Sequence, residues 1–307
     1  MPDDGRSGFA PHPKRVNVLK ILLTGADGFT GRHFADLARA HGHDVVPLLS
    51  DLRDSQELER EVLATMPDSV VHLAAISFVA HADDSAFYAV NVVGSINLLA
   101  ALVKLPVTPQ RVLLASSANV YGNCSESPVL ESQFPAPVNH YSMSKLAMEF
   151  MSRAYTDRLP IITTRPFNYT GPGQAVNFLI PKLVHHFARR APSILLGNLH
   201  VEREFNDVQM VCCAYLHLLQ HGEAGEVYNV GTGRPHTLQY VIDELVRITG
   251  HQINVEVSSA FVRANEVQRL FGDINKLRSL FLRHAKTLPE INLEDTLRRM
   301  LLAESSC

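Results

Sequence analysis

The feature that most constrains this chain lies near its start: an apolar run, Val18 to Thr24 (VLKILLT), breaks into three glycines at two-residue intervals, Gly25, Gly28 and Gly31. A short leucine-rich segment bounded by glycine predicts a strand buried on both faces of a parallel sheet. The next stretch, FTGRHFADLARAHG, has helical periodicity and ends at Gly42, which suits a C-cap. A second short strand, Val45 to Leu49, completes a β-α-β unit. Glycines between such a strand and helix permit a tight turn, close approach of backbone to a pyrophosphate, and packing of helix on strand. The free N–H groups and positive end of the helix then face the phosphates. Strand and helix turn a bare glycine pattern into a dinucleotide cradle.

The alternation continues. Strands are predicted at Ser69 to Leu73, Arg111 to Ser116 and Ile161 to Arg165, and helices at Ala89 to Val103 and Tyr141 to Arg158. Strands alternating with helices imply parallel pairing with right-handed crossovers, hence an α/β doubly wound sheet. Past Pro166 the rhythm breaks into shorter pieces rich in Gly, Pro and Asn. The expected organisation is a loose tail over 1–17, a dinucleotide-binding domain over 18–165, and a smaller substrate domain over 166–307 that returns segments to the first.

Composition narrows the function classes. At 307 residues, 46% hydrophobic and 19% charged, the chain has ample apolar area for a core, which excludes general disorder. A net charge of -3 gives no basic face for nucleic acid. Four cysteines make no disulfide framework and fit a reducing, cytoplasmic setting. The first residues lack the apolar region of a secretory signal, and nothing approaches eighteen uninterrupted apolar residues, so no membrane span is expected. The fifteen histidines are scattered, and neither His41-Gly-His43 nor His185-His186 adds ligands at metal spacing, so no metal site is expected.

Two further places carry chemistry. In Tyr141-Ser-Met-Ser-Lys145 the four-residue separation puts phenol and ammonium on one helix face. A phenol titrating near pH 10 is a poor acid-base group at neutral pH, and an adjacent ammonium lowers that value. Ser117, just past a strand, lies where an open parallel sheet binds ligands and can hold the reacting oxygen. After the second strand come Asp51-Leu52-Arg53. Asp51 suits the adenine or a ribose hydroxyl, Arg53 a 2′-phosphate, and both also suit an ordinary charged turn. NAD(H) and NADP(H) stay open, with a lean to NADP(H).

Together, TGADGFTG (24–31), HLAA (72–75), Asn91 in VNVVGS, SSANVYG (116–122), YSMSK (141–145) and RPFNYTGPGQ (165–174) make the chain resemble the extended short-chain dehydrogenase/reductase superfamily, from about residue 18 to 275. The resemblance implies a Rossmann-type sheet and a catalytic triad of Ser117, Tyr141 and Lys145, with Lys145 also on the nicotinamide ribose. It implies a cofactor lining that includes Phe29, Thr30, Leu73, Ala74, Ala75, Asn91 and Pro166, with Asn91 more structural than chemical.

Within that superfamily the chain looks like the nucleotide-sugar branch. Arg165-Pro-Phe-Asn168 and Gly171-Pro-Gly173 resemble its substrate loop, Asn177-Phe-Leu-Ile-Pro181 its nucleotide-contacting helix start, and Arg203-Glu-Phe-Asn-Asp207 its Arg-Asp-Phe segment. Arg263 and Glu266 match the arginine on the diphosphate and the acid on the ribose hydroxyls. Ser77 and Asn119 complete the implied substrate contacts. Sugar 4,6-dehydratases of this superfamily place an acidic residue just after the position of Ser117, but here Ala118-Asn119 follow, so elimination of water lacks its acid and base. The stretches 165–174 and 202–233 look most like reductases of GDP-4-keto-6-deoxy-D-mannose, which form GDP-D-rhamnose. Met210 replaces an expected aspartate, and Leu282 to Thr287 replaces an expected Gly-Trp-x-Pro. A 4-epimerase with tightly held NAD and a non-catalytic redox sensor are the competing readings. A homodimer packed through the helices beginning near Ala89 and Tyr141 is expected.

Overall fold

The computed structural model describes residues 18–78, 83–124, 126–258 and 268–305. The first half runs β1 (Lys20–Thr24), α1 (Phe29–Ala40), β2 (Asp44–Pro47), α2 (Ser55–Thr65), β3 (Ser69–His72), α3 (Asp84–Tyr88), a π-helical segment (Ala89–Gly94), α4 (Ser95–Leu102), β4 (Arg111–Ala115), α5 (His140–Ser152) and β5 (Ile161–Pro166). The second half adds β6 (Tyr169–Thr170), α6 (Leu179–Ala188), β7 (Ser193–Leu196), β8 (Glu202–Glu204), β9 (Asn206–Asp207), α7 (Val208–His221) and β10 (Val227–Val230). It ends with β11 (Pro235–Thr237), α8 (Leu238–Thr249), β12 (Asn254–Val257), β13 (Arg269–Leu270), α9 (Asn275–Arg283) and α10 (Leu293–Ser305).

Among the described residues six strands form one parallel, Rossmann-type sheet in the order β10-β5-β4-β3-β1-β2. The strand order reverses between β1 and β3, which is where such sheets open a ligand crevice at their carboxyl ends. Alternation along β1 shows why its sequence is apolar throughout. Ile21 and Leu23 enter one core with Phe34 of α1 and Val211 of α7, while Leu22 enters the opposite core with Leu58 of α2, Leu98 of α4 and Met148 of α5. Each such side chain contributes about 2 kcal/mol by leaving water. A third core joins Leu183 of α6, Ile194 of β7, Val241 of α8 and Leu297 of α10.

Several elements differ from their sequence expectation. Helix α2 has only Leu58 and Val62 buried, one turn apart, so its apolar period is too sparse to stand out; Asp54 caps it by accepting from Gln56 and Glu57 N–H. The helix expected from Ala89 begins at Asp84, capped by Asp83. Its continuous 19 residues to Leu102 contain an 18-residue window of mean hydropathy 1.6, enough in length and composition to cross a membrane, although 44% of that window is buried in the fold. The helix expected to reach Arg158 stops at Ser152, followed by a single 3-10 turn, Arg153–Tyr155.

Candidate active site

The glycine loop leaves β1 through Gly25 at φ +68°, a conformation favourable only to glycine, and a Cβ there would meet the backbone of Ala74 at 2.8 Å. Gly28 N–H donates to the Gly25 carbonyl (3.1 Å). At Gly31 a Cβ would lie 2.0 Å from that same carbonyl, so α1 packs against the turn as only glycine allows. No side chain caps α1, and its first turn carries no acid. A compact backbone cradle at an uncapped positive helix end fits a dinucleotide pyrophosphate. The neighbouring side chains have protein partners: the Phe29 ring packs by His33 (5.3 Å) and Tyr169 (6.1 Å), and Thr30 Oγ1 is 2.8 Å from the Tyr169 hydroxyl. Leu73, Ala74 and Ala75 leave β3 at the same edge, partly buried, and Ala74 N–H donates to Thr24 Oγ1 (3.0 Å).

Beyond β2, Asp51 and Arg53 pair with each other on the surface. The Arg53 hydrogen bond holds the Asp51 carboxyl down to about 2. Leu52 turns inward: its side chain is 6% exposed, and a Cβ on Gly94 would touch it.

The triad residues meet at the carboxyl end of β4. Asn139 caps α5 in a reciprocal box with Ser142, which places Tyr141 in the first turn and Lys145 one turn on. Ser117 follows β4, accepts from Asn119 N–H (3.2 Å) and lies close enough to the Tyr141 phenol to lower it. Lys145 Nζ donates to the Ala115 carbonyl (2.7 Å). Burial pushes the Tyr141 phenol above its ordinary value, and the opposing influence is Ser117. The lowering by Lys145 that the spacing suggests is therefore not what this structure displays, because the ammonium is turned to a strand carbonyl. Burial lowers Lys145 to about 8 against the field of Glu149.

Glu149 and Arg165 form the floor below. Their side chains are each 4% exposed and pair at 2.6 Å; Glu149 also accepts from Ser116 Oγ, and the Arg165 guanidinium lies 4.8 Å from the Tyr121 ring centre. Arg165, in a segment that resembles a substrate loop, is thus a core ion-pair partner. Pro166 ends β5 beside Val230 and is buried. Asn91 lies in the π-helical segment, fully buried, with its amide spent on Ile76 and Ser144.

The residues expected on the sugar nucleotide are more dispersed. Asn119 lies in the turn after Ser117, half-buried. Ser77, Asn168 and Asn177 are exposed, and Asn177 stands just before α6. Arg203 is in β8, half-buried, with Nη1 donating to the Glu202 carbonyl (2.8 Å). Arg263 and Glu266 lie outside the described residues. Glu204, next to Arg203, was not singled out by sequence: it is 1% exposed and accepts from the N–H groups of Thr232, Gly233 and Gly272, tying three loop glycines together with Gly231 packed on it. Its signal would have been an acid flanked by strand residues, facing glycine-rich segments far away in sequence. Among the described residues no group of three or more His, Cys, Asp or Glu could hold a metal ion.

Comparison with known proteins bears on this arrangement. Residues 21–231 match the model of the NAD dependent epimerase/dehydratase family. The chain is 36% identical over 264 residues to GDP-6-deoxy-D-talose 4-dehydrogenase of Aggregatibacter actinomycetemcomitans, covering 84% of this chain and 90% of that protein. It is 35% identical over 299 residues to GDP-6-deoxy-D-mannose reductase of Pseudomonas aeruginosa, covering 92% and 96%. The structure of RMD from Pseudomonas aeruginosa complexed with NADPH superposes with a TM-score of 0.86 at 32% identity, covering 94% of this chain and 99% of that one.

Proposed function

The chain belongs to the NAD dependent epimerase/dehydratase family, and on that premise we propose that it reduces the C4 keto group of a nucleoside diphosphate 4-keto-6-deoxy sugar, taking GDP-4-keto-6-deoxy-D-mannose to GDP-D-rhamnose with NAD(P)H. The observation that carries this reading is the meeting of Ser117, Tyr141 and Lys145 at the edge of the sheet that also holds the glycine cradle. Bound NAD(P)H supplies the hydride. Tyr141 gives its phenolic proton to the oxygen that gains charge, and Ser117, close to Tyr141, steadies the same oxygen. Lys145, at about 8, is still mostly protonated at pH 7, and once its ammonium leaves the Ala115 carbonyl it favours the phenolate left behind. Ala118 and Asn119 supply neither acid nor base for loss of water.

On the sugar nucleotide, Ser77, Asn119, Asn168, Asn177 and Arg203 make polar contacts, while Arg263 forks onto the diphosphate and Glu266 takes the ribose. The GDP-linked relatives support the base. Exposed Arg53, released from Asp51, meets the 2′-phosphate of NADP(H), the cofactor form preferred here. The enzyme works as a cytoplasmic homodimer; Val93, Met143, Phe150 and Met151, exposed on the π-helical segment and α5, support that contact, and the free thiols of Cys124, Cys212 and Cys213 support the compartment.

A second reading concerns the face of C4. The 36% identical relative is named for 6-deoxy-D-talose, the C4 epimer of D-rhamnose, and favours delivery to the opposite face. One experiment separates these: purified protein, GDP-4-keto-6-deoxy-D-mannose and either NADPH or NADH, with product identified by NMR. One oxidised cofactor per GDP-D-rhamnose is expected. GDP-6-deoxy-D-talose would move the assignment to the second reading, and turnover of a nucleotide sugar without added reductant would replace both with a 4-epimerase.

A further inference from the structure

A single file of buried polar groups joins the end of β1 to the first turn of α5. Ala74 N–H donates to Thr24 Oγ1 (3.0 Å), which lies 2.7 Å from His72 Nδ1; His72 Nε2 lies 2.8 Å from Ser95 Oγ, which donates to the Asn91 carbonyl (2.7 Å). The file continues through the Asn91 side chain, whose Nδ2 donates to Ser144 Oγ (3.0 Å), and Ser144 Oγ donates to the Tyr141 carbonyl (2.8 Å). Thr24, His72, Ser95, Asn91 and Ser144 are each at most 1% exposed.

The directions of these bonds are fixed by valence. A carbonyl only accepts, so the one Ser95 proton points to Asn91, and Ser95 Oγ must accept from His72. The imidazole proton is therefore on Nε2, and Nδ1 presents a lone pair to which Thr24 donates. The opposite tautomer would turn the Ser95 proton to His72, set a Ser95 lone pair against the Asn91 carbonyl and deprive the buried Thr24 proton of its acceptor. An imidazolium would likewise deprive the Thr24 proton of its acceptor, and burial together with the nearby Lys145 charge keeps the ring neutral, at about 3. The loop end of the file is mechanically engaged, because Gly25 packs directly on the Ala74 backbone.

We propose that His72 is a positioning residue: as the neutral Nε2–H tautomer it couples the glycine loop, through Thr24 and Ala74, to the main chain of Tyr141, through Ser95, Asn91 and Ser144. Placement of the dinucleotide and placement of the phenol are then set together. The consequence for turnover rests on the reductase reading; the coupling itself does not.

Two measurements test it. Nitrogen NMR of histidine-labelled wild-type protein should show a neutral ring protonated on Nε2, unchanged between pH 8 and 5. The signal is assigned by its loss in His72→Gln or, should that variant not fold, by its shift in Ser95→Ala. A proton on Nδ1, or titration near 6.5, overturns the relay. In kinetics, Thr24→Val and Ser144→Ala cut opposite ends and share no partner, so independent structural damage would multiply. Each should lower kcat about tenfold, and the double variant should fall no further than the worse single, with Thr24→Ser restoring kcat. Multiplicative losses would overturn the coupling. Wild-type protein that reduces no 4-keto nucleotide sugar removes the reductase reading, while the nitrogen spectrum still decides the relay.

Discussion

Around the glycine loop and the triad, Thr24, His72, Asn91, Tyr141 and Lys145 are each at most 9% exposed, whereas Ser77, Asn168 and Asn177, assigned to the sugar nucleotide, are exposed and Arg203 is half-buried. The first group is held by bonds that leave few alternatives: the Asn91 amide is bonded to Ile76 and Ser144, and the Glu149 carboxylate to Ser116 and Arg165. The second group is carried mostly by loops and short strands. Proton transfer needs dipoles fixed before the substrate arrives, while sugar recognition can be changed loop by loop on an unchanged scaffold. Alterations on the sealed side should therefore reach stability and kcat, and alterations on the open side should appear in KM.

The largest effect is expected at the floor of the sealed side. Arg165→Met strands the Glu149 carboxylate, and urea unfolding should report a loss of about 3–5 kcal/mol; a loss below about 1 kcal/mol would mean that Ser116 alone satisfies that carboxylate. Next, Tyr141→Phe should lower kcat by about a hundredfold or more while dinucleotide affinity is kept, and unchanged turnover would remove Tyr141 from the chemistry. Among the groups proposed for the sugar nucleotide, Arg263→Ala should raise KM for the nucleotide sugar by about tenfold; equal weakening of cofactor binding would remove Arg263 from the diphosphate.

A last test concerns acid. Burial, and then neighbouring His221, lowers His217 to about 4, and His72 is lowered to about 3, both from 6.5. Below pH 6.5 the unfolded chain binds protons that the folded one refuses, so stability is full above that pH and is lost as pH falls toward 4 and then 3. Thermal melts across this range should show that limb, and His217→Phe, whose ring can keep the stack on Phe281, should shallow it. An unchanged slope would place the acid sensitivity elsewhere.

What the sequence discloses depends on how far apart the interacting residues lie. β1, the glycine turn and α1 are contiguous, so period and punctuation reveal them. The i, i+4 spacing likewise puts Tyr141 and Lys145 on one face before any fold is known. Helix α2 is obscured because SQELEREVLAT buries only two residues. The helix over Ala89 to Val103 is legible, but the π-helical form of its first part around Asn91 is not, because a 3.6-residue template does not single it out. His72 looks like one apolar-strand residue among several, since its partners Thr24 and Ser95 are 48 and 23 positions away. Arg165 shows the converse: its segment resembles a ligand loop, but the folded chain buries its guanidinium against Glu149.

The pairing of Val227–Val230 with β5 has a consequence for biosynthesis. Until residue 230 has left the ribosome, β5 presents an unpaired edge of NH and CO groups to the surroundings, and the core that α7 shares with α1 lacks Tyr228 and Val230. Closure of the nucleotide half thus waits for roughly three quarters of the polypeptide to be made, a long-range step that favours slow maturation and makes nascent chains ending before that strand candidates for chaperone capture.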